Sequence, residues 1–447
     1  MPQVQPNERL AAFMRSAGVS RKALARLVGT DHTNVGRWLG GTRPRLATAR
    51  RIADALSTRV GRTVSLQEIG LSASEPFPAE TGIAYAETAD ETIGTVSRIW
   101  QADIDEIPQL MTVPPNGGAW SEASLGWLVR PESESIPRRN KGSRIGRSDI
   151  EAVRATAEMF AEMDNRFGGG HARRSLIQYL STDVKPMLAG RYESDTGKAL
   201  FSATAEALLL AAWMSYDSGI HGLAQRYFIQ ALRLAQAADD ILLAGSILDA
   251  MSHQATFLGR TKEAANLARA ARTGTRGHAT ATLTAHFHAM EARALAIGGD
   301  SVGAQRALSE AVRVFERRKP GVDPDWISYF DDAELSAEFG HCFRDLGRGG
   351  DAMTYAEHAL ANAGASARSD FFVTMVRAAG ELHGKDVEAA CATLAGALVL
   401  ARQVKSARCA EYVKQFRAAL VPFEHLAVVR ELEAEHGGHH LWIASAA

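Results

Sequence analysis

Two short runs of apolar residues at helical spacing occur within residues 20–39. The first run is Leu24, Leu27 and Val28, and the second is Val35, Trp38 and Leu39. Ser20 and Asp31 each stand just before a run, where a side-chain oxygen can cap the first turn of a helix. Gly29 lies between the runs and permits a tight turn. The pattern therefore predicts two short helices joined at Gly29, which is a helix-turn-helix.

The polar positions of the second predicted helix face away from its apolar side. They are His32, Thr33, Asn34 and Arg37. Arginine pairs well with guanine, asparagine pairs with adenine, and threonine contacts a thymine methyl group or a phosphate. We therefore expect this helix to contact base edges in the major groove of DNA.

Residues 7–70 resemble the Cro/C1-type (XRE family) helix-turn-helix. Arg37-Trp38-Leu39 stands where that family's recognition helix often ends, and a turn over 40–44 and a further helix at about Leu46–Leu56 follow. The resemblance implies base contacts from the four outward residues of the second helix. It also implies phosphate contacts from Arg21, which replaces the family's frequent glutamine, and from Arg43 and Arg45. An ordinary helical hairpin with an arginine face is the alternative.

From about residue 148 the sequence is rich in alanine and leucine, and one spacing of small residues recurs five times. Each unit has two alanines seven residues apart and a small residue twelve positions before them. The alanine pairs are Ala224/Ala231, Ala264/Ala271, Ala304/Ala311, Ala352/Ala359 and Ala390/Ala397. The preceding small residues are Ala212, Ser252, Ala292, Gly340 and Ala378. Closely crossing antiparallel helices admit only small side chains, so the spacing predicts a helical solenoid.

This pattern resembles long, degenerate tetratricopeptide repeats over roughly residues 200–420. The family exposes its first helices on a concave wall, and the repeat register identifies the residues expected there. One position after each small residue stand Trp213, His253, Arg293, His341 and Ala379. Three positions before it stand Leu209, Asp249, Ala289, Ala337 and Met375, and six before it Glu206, Ser246, His286, Glu334 and Phe372. An irregular alanine-rich bundle is the alternative to the repeats.

The expected wall mixes cations, carboxylates and aromatic rings, which suits a peptide or a small polar effector. We expect the effector site at Trp213, Asp249, His253, Arg293 and His341. The alternative is that these are simply solvated polar residues on the surface of a superhelix.

The other segments give weaker signals. Residues 71–147 contain seven prolines and three tryptophans, which favours a partly ordered connector with a helix at about 91–101 and a docked segment at 120–129. The basic stretch 138–147 is expected to be a solvated hinge, with contact to DNA phosphate as the alternative.

The glycines of 167–174 lack the Lys-Ser/Thr of a phosphate loop and predict a flexible junction. A tail, 436–447, carries His436, His439 and His440 without a further ligand for a metal.

The formal charge of −1 over 447 residues hides an uneven distribution. Residues 1–70 contain 12 Lys and Arg against 4 Asp and Glu, a balance of +8, which leaves −9 for the remainder. A basic N-terminal segment followed by an acidic remainder is typical of a DNA-binding domain joined to a regulatory domain. Residues 1–70 are called the head below. The three cysteines, Cys342, Cys391 and Cys409, lack metal-ligand spacing and are expected to be buried thiols in a reducing cytosol. No signal peptide or membrane span is expected.

Together these patterns predict an all-α protein with a helix-turn-helix domain (1–70), a connector (71–147), a tetratricopeptide-like solenoid (148–435) and a tail (436–447). We expect a homodimer on an inverted-repeat operator, since two recognition helices about 34 Å apart are needed for useful affinity. Neither a cofactor, a metal nor enzymatic activity is expected, because no nucleophile or cofactor-loop pattern occurs.

The expected function is a cytoplasmic, nucleoid-associated transcription regulator that senses a small molecule or peptide. The combination of segments resembles helix-turn-helix regulators common in actinobacteria, which implies control of secondary metabolism or development by analogy. The alternative is a DNA-tethered scaffold whose repeats bind a partner protein.

Overall fold

The computed structural model describes residues 6–42, 44–62, 64–66, 68–71, 77–129, 136, 142–362 and 366–445. Within these ranges the regular structure is helical, apart from one isolated backbone bridge between Arg144 and Arg191. The chain forms two compact units, Met1–Pro78 and Ala79–Ala447. The prediction of an all-α fold is confirmed.

The described part of the first unit contains the helices α1 (Glu8–Ser16), α2 (Arg21–Val28), α3 (His32–Leu39) and α4 (Leu46–Val60). Ser20 caps α2 by accepting a hydrogen bond from the backbone N–H of Ala23 at 3.2 Å. Asp31 caps α3 by accepting one from Thr33 at 2.7 Å. Gly29 ends α2 with a φ of +66°, a left-handed conformation that glycine adopts without strain. The predicted caps and turn are confirmed.

Apolar side chains of all four helices form the core of the first unit. They include Leu10, Met14, Leu24, Ala25, Val28, Val35, Trp38, Ile52 and Leu56. The prediction that Leu27 shares the buried face of α2 is wrong, because this side chain is 55% exposed. It lies about 100° from Val28 around the helix, and Ala25 completes the buried face on the opposite flank.

The side chain of Asn7 ties the start of α1 to two distant parts of the unit. Its Nδ2 donates to the carbonyl oxygens of Ile69 and Gly70, both at 3.1 Å, while its Oδ1 accepts from the N–H of Leu10 at 3.0 Å. The backbone N–H of Asn7 also donates to the carbonyl of Leu39, the last residue of α3, at 2.9 Å. One polar residue thus fixes α1 against the end of α3 and the last described turn.

The second unit is built from a longer series of helices. Before the repeats lie α5 (Ala89–Ile104), α6 (Pro108–Thr112), α7 (Gly117–Val129), α8 (Arg147–Phe167), α9 (Gly169–Tyr179), a π-helical turn (Leu180–Val184) and α10 (Lys185–Leu188). The repeat hairpins are α11/α12 (Ser194–Asp217, His221–Ala237), α13/α14 (Ile241–Phe257, Thr261–Gly274), α15/α16 (Ala281–Ile297, Ser301–Phe315), α17/α18 (Asp332–Asp345, Gly349–Asn362) and α19/α20 (Ala367–His383, Val387–Leu400). The chain ends with α21 (Ala407–Leu420), α22 (Ala427–His436) and α23 (His440–Ala444).

The small residues of the sequence repeat lie at the helix crossings, and all of them are buried. Ser252 on α13 donates its hydroxyl hydrogen to the carbonyl oxygen of Ala264 on α14 at 2.8 Å, so the two backbones are nearly in contact. The first helices of successive hairpins also contact one another, α13 with α15, α15 with α17 and α17 with α19. The predicted solenoid is therefore confirmed, with first helices forming the inner layer.

The two ends of the hairpin stack meet, because α8 contacts α19 and α11 contacts α21. The N–H of Lys405 donates to the carbonyl of Phe167 at 2.8 Å, and the hydroxyl of Ser406 donates to Asp217 at 2.7 Å. Gly168 has a φ of +83°, and a Cβ there would lie 2.4 Å from the carbonyl oxygen of Lys405. The glycine stretch predicted as a flexible junction is instead a close-packed joint, since only glycine permits this backbone approach.

Buried carboxylates reinforce this joint. Asp217 accepts a second hydrogen bond from the N–H of Gly169 at 3.0 Å. Arg368 of α19 forms ion pairs with Asp164 at 2.8 Å and with Asp217 at 3.5 Å. The hairpin stack is therefore closed on itself through residues as far apart in sequence as Phe167 and Lys405.

The helix and the docked segment predicted within the connector are confirmed as α5 and α7, but from residue 79 onward the chain belongs to the second unit and is not a separate connector. Residues 79–87 run along α12, whose buried side chains donate hydrogen bonds to their backbone carbonyls. Arg226 donates to residues 79 and 81, Gln230 to 82 and 84, and Arg233 to 86 and 87. Further along, α7 packs on α12 and α14. Trp100 of α5 and Trp120 and Trp127 of α7 are buried, and residues 79–129 are a folded part of the second unit.

A buried polar group anchors α5. Asp103 accepts hydrogen bonds from the guanidinium of Arg173 at 2.5 and 2.6 Å and from the hydroxyl of Tyr227 at 2.7 Å. A buried carboxylate is stable only when its oxygens are satisfied in this way.

The basic hinge and the C-terminal tail also take part in the fold where they are described. Residues 138–141 lie outside the described residues, whereas Ser143 and Ile145 form backbone hydrogen bonds with Arg191. In the expected tail, Trp442 is buried beneath the guanidinium of Arg417, which lies 4.6 Å from the ring centroid.

One described helix, α11, is long and apolar enough to cross a membrane by composition alone. However, 72% of its most apolar window is buried, and it packs on α8, α9 and α12. Its apolar side chains are therefore accounted for by packing at the centre of the second unit.

Candidate functional site

The helix-turn-helix surface carries most of the predicted DNA-contacting residues. His32, Thr33 and Arg37 are exposed on α3, and Arg21 and Arg45 are exposed at the starts of α2 and α4. Arg43 lies outside the described residues. On α3, the exposed His32, Thr33 and Arg37 lie on the side away from the buried Val35 and Trp38, which is the arrangement required for a helix that enters a groove.

Asn34 differs from its neighbours on α3 because it is half-buried. Its Nδ2 donates a hydrogen bond to the hydroxyl of Thr30 at 3.1 Å. This bond orients the amide and leaves its second N–H and its oxygen for an adenine edge. The turn before α3 and the helix itself are thus coupled through one side-chain contact.

The second predicted site lies on the inner layer of the repeat unit. Trp213 and His253 are half-buried, whereas Asp249, Arg293 and His341 are 3%, 6% and 6% exposed. The expectation of an open wall is wrong for these three side chains, because His286 packs against Asp249, Glu338 against Arg293 and Tyr412 against His341. They form the enclosed interior of the unit.

The aromatic part of the interior is tightly connected. The rings of Trp213 and His253 lie 5.3 Å apart, and Nδ1 of His253 is hydrogen-bonded to the hydroxyl of Tyr216 at 3.1 Å. Burial, with the charges of Arg408 and Arg293, lowers the pKa of His253 well below its usual value. Burial and the charge of Arg293 do the same to the pKa of His341. Both imidazoles are therefore neutral at physiological pH.

Two close ion pairs cross the inner layer. His286 Nδ1 lies 2.6 Å from Asp249 Oδ2, and Arg293 Nη1 lies 2.6 Å from Glu338 Oε2. Burial acts to lower the pKa of His286, but the charge and hydrogen bond of Asp249 outweigh it and raise the pKa. The interior thus holds alternating cationic and anionic groups from successive repeats.

Several buried polar atoms of this cluster have no partner among the described residues. They are Asp249 Oδ1, Arg293 Nε and Arg408 Nε. An unsatisfied buried donor or acceptor costs roughly 1–3 kcal/mol, so such atoms are rarely left without water or a ligand. The interior is therefore suited to holding a polar occupant.

A cavity of about 340 Å³ lies at the C-terminal end of the interior, between α17, α19 and α21. Met375 and Ala379, both predicted wall residues, line it together with Arg344, Asp345 and Tyr412. This volume is at the lower end of the range of small-molecule sites.

Sequence reasoning missed Arg408 and Tyr412, because α21 follows the fifth repeat and carries no repeat signal. It also missed Glu338, which lies two positions before the small residue Gly340 and outside the three wall registers. The signal that the sequence carries here is an arginine and a tyrosine four positions apart on the helix after the last repeat.

Among the described residues, no group of three or more His, Cys, Asp or Glu is placed to hold a metal ion. Burial raises the pKa of the thiols of Cys342, Cys391 and Cys409, which disfavours the reactive thiolate.

Comparison with protein-family models matches residues 10–72 to the SP15 N-terminal domain. This span coincides with α1–α4 and the turn that follows, and it covers 63 of the 447 residues. No match to a curated protein and none to a solved structure was found. The matched family thus describes a resemblance of the head alone.

Proposed function

We propose that this protein is a dimeric, sequence-specific DNA-binding transcription regulator whose repeat unit responds to a small effector. The observation that supports it most is the first unit, where two capped helices joined at Gly29 present Arg37, Thr33 and His32 from a basic head. As a DNA-binding protein it would act in the cytoplasm, on the nucleoid.

In this proposal α3 lies in the major groove. Arg37 donates to a guanine edge, Asn34 pairs with an adenine and Thr33 contacts a methyl group or phosphate. Arg21 and Arg45 contact phosphates, which adds affinity but no sequence information. Each phosphate contact releases counterions, so binding weakens steeply as salt increases.

One head of this size contacts only a few base pairs, so the proposal includes a homodimer on an inverted repeat. The half-sites would lie one helical turn apart, about 34 Å. An effector that binds one conformation of the repeat unit more tightly would change the population of dimers whose heads match that spacing.

The test begins with selection of duplexes from a random library by the full chain, followed by fluorescence anisotropy at several salt concentrations. Arg37→Ala should weaken binding to the selected duplex by about 1–3 kcal/mol and relax the preference at one base pair. Arg21→Ala should weaken binding to all duplexes similarly and reduce the salt slope by about 1.

Arg59→Ala is the charge-matched control. Arg59 is exposed in the last turn of α4, thirteen residues and therefore roughly 20 Å along the helix from its start. Its loss should change affinity by less than about 0.5 kcal/mol. Absence of any preferred duplex, or equal losses for Arg37→Ala and Arg59→Ala, would overturn the proposed DNA contact.

A further inference from the structure

The charged side chains of the repeat-unit interior are mostly paired. His286 pairs with Asp249, Arg293 with Glu338, and Arg344 with Asp345 at 2.5 Å. Two groups of opposite charge differ from these pairs. Among the described residues, neither Arg408 on α21 nor Glu334 on α17 has a side-chain hydrogen bond or an ion pair.

Arg408 is held between two aromatic rings. Its guanidinium carbon lies 4.7 Å from the ring centroid of Tyr216 and 4.6 Å from that of Phe372. These contacts fix the plane of the guanidinium but supply no counter-charge, and Nε is buried without an acceptor in the described structure. A planar cation presented in this way is suited to a carboxylate or a phosphate group, which accepts two parallel hydrogen bonds.

Glu334 is half-buried, and the charged neighbour that acts on it most strongly is another carboxylate, Glu338. Burial, followed by the charge of Glu338, raises the pKa of Glu334 to about 7, although His286 and Arg293 partly oppose this rise. A half-buried carboxylate beside a second carboxylate is stabilised most by a cation in direct contact with it. A protonated amine supplies both the charge and the hydrogen-bond donors.

Both groups belong to one interior. Arg408 stacks on the ring of Tyr216, whose hydroxyl is hydrogen-bonded to Nδ1 of His253 at 3.1 Å, and the charges of Arg408, Arg293 and His286 all act on His253. Arg293 and His286 also act on Glu334. Tyr329, whose ring lies 6.2 Å from that of His286, is 56% exposed, so solvent reaches the His286 end of the interior.

We propose that this interior binds a small zwitterion whose anionic group pairs with Arg408 and whose ammonium group pairs with Glu334. The aromatic rings of Trp213 and Tyr329, which are not fully buried, provide apolar surface for the body of the ligand. The inference rests on the proposed function in one respect only, namely that the occupant serves as the effector.

The test uses the full chain and isothermal titration calorimetry. The probes are ω-amino carboxylates of increasing length, from glycine to aminooctanoate, and the matching ω-amino alkyl phosphates. Acetate, inorganic phosphate and butylamine serve as single-charge probes. The length series scans the separation of the two charges, and the two head groups distinguish a carboxylate from a phosphate ligand.

We expect at least one zwitterion to bind about tenfold or more tightly than any single-charge probe. Arg408→Gln and Glu334→Gln should each lower that affinity by about tenfold or more. Arg402→Gln and Glu388→Gln, which remove the same charges from exposed positions, should leave it unchanged. If Arg408→Gln fails to fold, Arg408→Lys keeps the charge but loses the planar fork, and an intermediate affinity is expected.

The proposal is overturned if no zwitterion binds better than acetate or butylamine, or if the control variants weaken binding as much as the interior variants do. Duplex affinity is measured in parallel with and without the tightest zwitterion. Binding that leaves duplex affinity unchanged supports the site and refutes the effector role. Intact duplex binding without any zwitterion binding refutes the site and leaves the DNA-binding function standing.

Discussion

The joint between the two ends of the hairpin stack gives the sharpest test of the repeat unit. Gly168 adopts φ +83° and ψ 161°, a backbone conformation that residues with a side chain rarely adopt. A Cβ built there would lie 2.4 Å from the carbonyl oxygen of Lys405 and 2.8 Å from its carbonyl carbon. Gly168→Ala should therefore weaken the joint by both strain and overlap.

The expected magnitude follows from these two effects. Backbone strain of this kind costs of the order of 1–3 kcal/mol. Forcing an extra methyl group against a close-packed backbone costs roughly another 1–3 kcal/mol. We expect Gly168→Ala to destabilise the second unit by about 2–6 kcal/mol.

Gly170 provides a matched control two residues away. A Cβ at Gly170 meets its nearest neighbour at 3.6 Å, which is an ordinary contact. Gly170 also lies in the first turn of α9, where alanine is favoured over glycine by up to about 1 kcal/mol. Gly170→Ala should be neutral or slightly stabilising.

The assay combines urea unfolding, followed by far-UV circular dichroism, with hydrogen exchange measured by mass spectrometry. The N–H of Lys405 donates to Phe167 across the joint, so a peptide spanning this amide reports on closure directly. In Gly168→Ala we expect faster exchange there and a lower urea midpoint. Equal midpoints and equal exchange for the two variants would refute the close-packed joint.

Three further outcomes are expected. Ser252→Ala should cost about 1 kcal/mol in urea unfolding, since it removes one hydrogen bond at a helix crossing and keeps the small size; a gain in stability would contradict this. Asp103→Asn should cost roughly 3–5 kcal/mol because it leaves Arg173 as an uncompensated buried charge, and no loss would contradict the anchoring of α5. Burial and next the charge of Glu338 raise the pKa of Glu334 from 4.5 to about 7. The folded state therefore holds this proton more tightly than the unfolded state, and the free energy of unfolding falls as pH rises from 4.5 to about 7. Glu334→Gln should remove the fall and be about 1–3 kcal/mol more stable than wild type at pH 8 but not at pH 4, and identical pH profiles would show that this carboxylate is not the cause.

The helix-turn-helix and the repeat register could be predicted from the sequence because both depend on local rules. A cap at Ser20 or Asp31 requires a side-chain oxygen at one position, and a close helix crossing requires a small residue such as Ser252. Each rule is satisfied within one helix or one hairpin. The resulting boundaries agree with the structure to within a few residues.

The joint and the full set of side chains in the repeat-unit interior could not be predicted in the same way. Asp217 and Ser406 are 189 positions apart, and no spacing in the sequence links them. The docking of residues 79–87 uses backbone carbonyls, which carry no sequence signal. Arg408 enters the interior only because the stack closes, so its role depends on a long-range contact.

Closure also limits how such a protein can change over generations. An open array of repeats tolerates duplication or loss of one unit, because its terminal members face solvent. Here each hairpin of about forty residues sets part of the distance between the two ends of the stack, which must meet at the joint. Adding or deleting one would part Gly168 from Lys405, so we expect descendants of this chain to keep five hairpins while their loops diverge.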